Sequence, residues 1–128
     1  MIRLIATDLD GTLLEPDGTL PEGTYEAVED LTRRGVLFAA CSGRQYGNLR
    51  RLFGPVARHM AFICENGALC FYRGEAIGAI PIAEETAREI IADIEAAGMN
   101  LLISGRHTTY MMDRNRHYTD DIVYRLRN

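Results

Sequence analysis

The sequence predicts an α/β fold, a parallel sheet with helical crossovers. Three observations lead there. Short apolar runs recur at residues 2–7 (IRLIAT), 36–40 (VLFAA) and 60–63 (MAFI). Each run is followed by small polar residues, in DLDGT, CSGR and CENGA. Stretches with helical character separate the runs. Continuous short apolar runs mark strands buried on both faces, and such strands belong to parallel sheets with right-handed crossovers.

The elements follow in order. Residues 2–7 form the first strand, ended by the Asp/Gly cluster. In EPDGTLPEGTYEAVEDLTRRG, Thr19 and Glu22 have the spacing of a capping box, with Pro21 in the first turn. Leu20, Ala27, Val28 and Leu31 can share one helical face, and Gly35 is placed as the C-terminal cap. Residues 36–40 are the second strand, 45–53 a short helix and 60–63 the third strand. Residues 69–72 and 76–80 read as a hairpin turning at Arg73-Gly74. Residues 83–97 carry the clearest helical period, through Ala83, Ala87, Ile90, Ile91 and Ile94, and Gly98 stops it. NLLIS and TTYMM flank Gly105-Arg106-His107 as a second hairpin. From Asp113 the sequence is polar and carries no readable pattern. The change of rhythm divides the chain into residues 1–81 and a second unit at 82–128.

The 128 residues are 47% hydrophobic and 25% charged, with a formal charge of -4, the profile of a soluble globular domain. No basic stripe is visible, which argues against nucleic acid as a partner. No apolar window approaches the length of a bilayer span, which argues against a membrane. The early charges Arg3 and Asp8 do not read as a signal peptide. The three cysteines, Cys41, Cys64 and Cys70, lack metal-type spacing and read as reduced, mostly buried thiols of a cytoplasmic protein. All 14 basic residues are arginine.

The stretch LIATDLDGTLL places Asp8 and Asp10 one residue apart at a strand end. Side chains alternate along an extended segment, so both carboxylates lean to one side. In open parallel sheets ligands bind beyond the C-terminal strand ends. A magnesium ion between the acidic groups would offset their repulsion and draw in a phosphate. A single D-x-D after a strand also fits a turn with two solvated acids. The full DLDGTLL, joined by CSGR at the next strand end, favours the functional reading.

These motifs resemble a known family. DLDGTLL resembles the first motif of the haloacid dehalogenase superfamily, and SGR at the second strand end resembles its second motif. ENGA after the third strand is similar to the Cof-type phosphatase subgroup. The resemblance covers residues 1–80 and extends over 81–112 as the beginning of an inserted α/β cap. It implies a Rossmann-like three-layer core, of which 1–81 would be the first half and 82–128 part of the cap. It implies that Asp8 attacks phosphorus to form an aspartyl-phosphate, and that Asp10 acts as general acid and base. Magnesium would bind the Asp8 carboxylate and the Asp10 carbonyl. Ser42 and the Gly43 amide would hold phosphate oxygens of a small phosphorylated metabolite. Arg44 and Asn66 are candidate cleft residues. Arg44 equally fits a surface ion pair, and Asn66 an Asn-Gly turn. Glu65 reads as a cleft-edge or solvated charge. Cys41 has no histidine to activate it and reads as core. His59, His107 and His117 show no ligand spacing.

The sequence departs from the family pattern in two respects. It contains no lysine, and no G-D-x-x-N-D motif follows residue 81. The resulting expectation is a magnesium-dependent phosphatase chain, either truncated or completed by another chain, or else a non-catalytic phosphate- and metal-binding or self-assembling fragment of the same fold. A phosphate-accepting receiver-type domain fits less well, because its acceptor aspartate lies at a later strand. A further expectation is self-association, because the strand bearing Asp8 would have an open edge.

Overall fold

The computed structural model describes residues 1–106, 108–111 and 120. The chain divides between Ala79 and Ile80 into two compact units. In the first, β1 (Leu4–Asp8), β2 (Leu37–Cys41), β3 (Ala61–Cys64), β4 (Leu69–Tyr72) and β5 (Glu75–Ala79) form one sheet in chain order. The first three strands run parallel, and the β4–β5 hairpin extends the sheet antiparallel from β3. Arg73 and Gly74 adopt φ of 52° and 85°, the positive pair that a two-residue hairpin turn needs.

Helices α1 (Thr24–Arg33) and α2 (Tyr46–Phe53) are the crossovers between the parallel strands. The strand register puts Ile5, Phe38, Ala40, Phe62 and Phe71 on one face. These residues share a core with Val28 of α1, Leu49 and Phe53 of α2, and Val56 and Met60. Both helices therefore cover the same face. Two right-handed crossovers that step the same way across a sheet have that result. Phe53 lies between Phe38 and Phe62, with ring centroids at 6.4 Å and 6.0 Å. Each fully buried side chain of this size contributes about 1.5–3 kcal/mol. Tyr46, the first residue of α2, stacks on Phe71 at 3.9 Å and meets the edge of Phe62 at 5.5 Å. That contact fixes the chain immediately after the CSGR stretch.

Three expectations change. The first strand, read as buried on both faces, is exposed at Leu4 (55%), Ala6 and Asp8, while its position at one edge of the described sheet agrees with the open edge expected for it. Its apolar composition suits a central strand, but no described residue pairs with its other edge. The capping box does not form. Thr19 instead binds Asp17 Oδ1 through its amide (3.0 Å) and hydroxyl (2.6 Å), and α1 starts at Thr24 after Gly23. The competing side chain–backbone turn keeps Thr19 out of the helix. Gly35 does end α1, at φ 73°. Finally, Gly54–His59 forms a 3-10 helix that the sequence did not suggest, with Val56 and Ala57 buried.

In the second unit α3 (Glu84–Ala96) precedes an antiparallel pair, β6 (Leu102–Ser104) and β7 (Thr109–Met111). Gly98 follows α3 at φ 66°. Ile91 and Ile94 are half-buried, whereas Ile90 is 44% exposed. The polar stretch from Asp113, His107 and His117 lie outside the described residues, Asp120 excepted. Among the described residues no helix is long and apolar enough to cross a membrane.

Candidate active site

The parallel ladder assembles the site. Asp8, the last residue of β1, lies opposite Cys41, the last residue of β2. Ser42 and Gly43 follow directly, so the acidic turn and the small-residue turn occupy the same edge of the sheet. Between the two aspartates Leu9 is fully buried. It anchors the turn in the core and leaves Asp8 and Asp10 both exposed. The turn then closes through Leu14 N–H to Leu9 O at 2.9 Å, with Gly11 at φ 78°. Thr12 donates its hydroxyl to Asp8 Oδ2 at 3.3 Å and orients that carboxylate.

Ser42 is buried and fixed on three sides. Its amide donates to Ile63 O at 2.9 Å, and its carbonyl accepts from Asn66 N–H at 3.2 Å. Its Oγ accepts from Arg44 N–H at 3.1 Å. A hydroxyl that accepts this bond keeps its own proton to donate to another acceptor. Gly43 packs closely on Asn66: a Cβ there would stand 3.0 Å from Asn66 Oδ1 and 3.3 Å from Nδ2, so the Asn66 side chain would have to shift by a few tenths of an ångström. The absence of a Cβ lets the Asn66 amide sit against the backbone of this loop.

The supporting loop is strained. Glu65 and Asn66 adopt φ of 51° and 54°, ahead of Gly67 at 96°. Left-handed backbone costs roughly 1–2 kcal/mol per non-glycine residue, and such strain gathers at functional loops. The Glu65 amide donates to Arg44 O at 3.3 Å. Glu65 Oε1 is buried with no hydrogen-bond partner, so Glu65 is not the freely solvated charge that its type suggests. Arg44 reaches across to Asp10. Its Nη2 donates to Oδ1 at 2.6 Å and its Nε to Oδ2 at 3.2 Å. Burial and the negative charge of Asp8 push the Cys41 thiol up, with a smaller effect from Cys70, so Cys41 is a poor nucleophile.

Comparison with known proteins identifies the family. The sequence model of haloacid dehalogenase-like hydrolases matches residues 5–127. The chain belongs to that family. It is 33% identical over 95 residues to a phosphoglycolate phosphatase of Metallosphaera sedula, covering 73% of this chain and 41% of that protein. It is 42% identical over 67 residues to an HMP-PP phosphatase of Cronobacter sakazakii, covering 52% of this chain and 25% of that protein. The solved structure of SMU.1108c from Streptococcus mutans matches with a TM-score of 0.83 at 24% identity, over 96% of this chain and 48% of that one. The chain thus spans less than half the length of these relatives. The likeness is to Cof-type phosphatases, and the Rossmann-like α/β core is shared with the structural neighbours.

The donor set of this haloacid dehalogenase-like chain fits magnesium in a specific way. Magnesium takes oxygen ligands, keeps several waters and often binds one or two carboxylates plus a substrate phosphate. Asp8 offers an exposed carboxylate and Asp10 a main-chain carbonyl, while the Asp10 carboxylate is engaged by Arg44. Among the described residues no cluster of three or more acidic, histidine or cysteine side chains could hold a metal. The set suits an ion held jointly with water and phosphate, not a closed cage.

Of the residues singled out by sequence, Asp8, Asp10, Ser42, Gly43, Arg44 and Asn66 gather at this sheet edge. His59 sits at the opposite end of β3, where its Nε2 accepts from Arg58 Nε at 2.9 Å. Thr12 was missed, although the four-residue offset from Asp8 inside DLDGT was the available signal.

Proposed function

We infer that this chain provides the nucleophile and phosphate cradle of a magnesium-dependent phosphomonoester hydrolase acting on a small phosphorylated metabolite. The observation that carries the reading is the pair Asp8 and Asp10, held exposed around a fully buried Leu9 at the strand end beside Ser42-Gly43. The phosphatases among its relatives support the reaction class. An Asp8 carboxylate oxygen attacks phosphorus, the ester P–O bond breaks, and Asp10 gives its proton to the leaving oxygen. Water then attacks phosphorus of the aspartyl-phosphate while Asp10 takes its proton, the P–O bond to Asp8 breaks, and inorganic phosphate leaves the regenerated Asp8 carboxylate. The Ser42 hydroxyl and Gly43 amide donate to the phosphoryl oxygens, and Asn66 lines the cleft. Magnesium, held by Asp8 and the Asp10 carbonyl, supplies charge neutralisation at the phosphoryl group. The free thiols support a reducing, cytoplasmic setting. Engagement of Asp10 by Arg44 favours a second reading, in which the chain binds phosphate and metal without turnover.

The test is thermal unfolding with magnesium and the phosphate mimic beryllofluoride. The parent chain is expected to melt at a higher temperature, and Asp8→Asn to lose the effect. No shift in the parent, or an equal shift in the variant, overturns the assignment. Turnover of an ester by the chain that binds would exclude the second reading.

A further inference from the structure

Arg44 bears on which phosphate ester the site accepts. Its side chain is only 18% exposed, whereas its partner Asp10 is 60% exposed. Its backbone is pinned at both ends, the amide by Ser42 Oγ at 3.1 Å and the carbonyl by Glu65 N–H at 3.3 Å. The fork that meets Asp10 therefore comes from a fixed stretch of chain. On the reading above, Asp10 protonates the leaving oxygen, which places that oxygen about 3 Å from the carboxylate. The guanidinium lies within hydrogen-bond distance of the same carboxylate. Atoms two or three bonds beyond the leaving oxygen can then come within hydrogen-bond reach of Arg44. A planar, weakly hydrated guanidinium at that point matches a carboxylate in bidentate fashion.

We propose that Arg44 is the specificity-determining residue for the leaving group, and that it selects phosphate monoesters bearing a carboxylate next to the ester carbon, the 2-phosphoryloxy acids. The Asp10 carboxylate occupies, in the resting site, the place on the fork that such a substrate takes. An acidic leaving group competes for the guanidinium and draws it off the Asp10 oxygens, which then face the leaving oxygen. An ester with a neutral leaving group offers nothing to exchange and meets Arg44 still on Asp10. This inference rests on the phosphomonoesterase reading, because Asp10 locates the leaving oxygen only there.

The probes are 2-phosphoglycolate and ethyl phosphate, which differ mainly in carboxylate against methyl. Calorimetric titration of the 128-residue chain with magnesium is expected to give about tenfold tighter binding of the acid. The preference is expected to fall to near one in Arg44→Gln and to survive in part in Arg44→Lys. Phosphorus NMR monitors the esters during titration, and if either is consumed the ratio of kcat/KM values reports the same preference. In the parent chain the Arg44 Nε–H resonance is expected to move with 2-phosphoglycolate and not with ethyl phosphate, which decides the matter should Arg44→Gln fail to fold. Equal binding of the two esters by the parent, or an unchanged preference in folded Arg44→Gln, overturns the inference and leaves the phosphatase reading intact. Binding of neither ester, with no beryllofluoride shift, overturns both.

Discussion

Cys64 gives the sharpest test of how the core supports this edge of the sheet. It closes β3 with a fully buried side chain. Burial raises its thiol from 9.0 to about 12, and the negative charge of Glu65 adds to the effect, with smaller contributions from Cys70 and Cys41. In the unfolded chain the thiol ionises near its ordinary value. Unfolding therefore releases a proton once the pH exceeds that value. The stability is fully present below about pH 9 and is lost as pH rises toward 12. At pH 10 the unfolded thiol is roughly ten-elevenths ionised and the folded one almost neutral, which destabilises the fold by about 1.4 kcal/mol relative to pH 7. Cys64→Ala removes this dependence, whatever the truncation itself costs at neutral pH. The assay is urea unfolding of parent and variant at pH 7, 8, 9 and 10 under reductant. The loss between pH 7 and pH 10 is expected to be about 1.4 kcal/mol smaller in the variant. The six tyrosines titrate in both proteins and cancel in the comparison. Equal losses would refute the claim that Cys64 is held neutral by its burial.

Three further outcomes are expected. The chain self-associates, because the outer edge of β1 is unpaired among the described residues and Leu4 beside it is exposed; a stable monomer in sedimentation at micromolar concentration would contradict this. Its turnover of p-nitrophenyl phosphate with magnesium lies far below about 1 per second, since losing one preorganised charge typically costs about 100- to 1000-fold and this sequence has no lysine; a rate near 1 per second that Asp8→Asn abolishes would refute it. Gly43→Ala costs under about 1 kcal/mol in urea unfolding, because the atoms it meets belong to the far end of the Asn66 side chain; a larger loss would show that the Asn66 amide is rigidly held.

What was legible in the sequence and what was not divides by range. The β4–β5 turn at Arg73-Gly74, the end of α1 at Gly35 and the stop after α3 at Gly98 depend on local backbone conformation, and a single glycine in the chain records it. The convergence of Asp8 with Ser42 was legible for a related reason. Parallel strands of similar length align their ends, so residues just past two apolar runs become neighbours whatever lies between. The open edge of β1 was expected, but the exposure of its Leu4 and Ala6 face was not legible, because burial depends on what covers a strand and an apolar run reads the same in either setting. The contact between Arg44 and Asp10 spans 34 positions, and only the end of a long side chain makes it. Sequence could place the arginine beside the site but could not choose between a substrate anion and a protein carboxylate as its partner. The left-handed Glu65 was hidden because its residue type does not favour that backbone. It becomes intelligible from the bonds of its loop. The Glu65 amide reaches Arg44 O and the Asn66 amide reaches Ser42 O, so two successive N–H groups grip the cradle from the next strand. Relaxing the backbone at 65–66 would give up both bonds. The strain in ENG and the order of Ser42–Arg44 are two sides of one arrangement, which accounts for a glutamate in a conformation that glycine would adopt more easily.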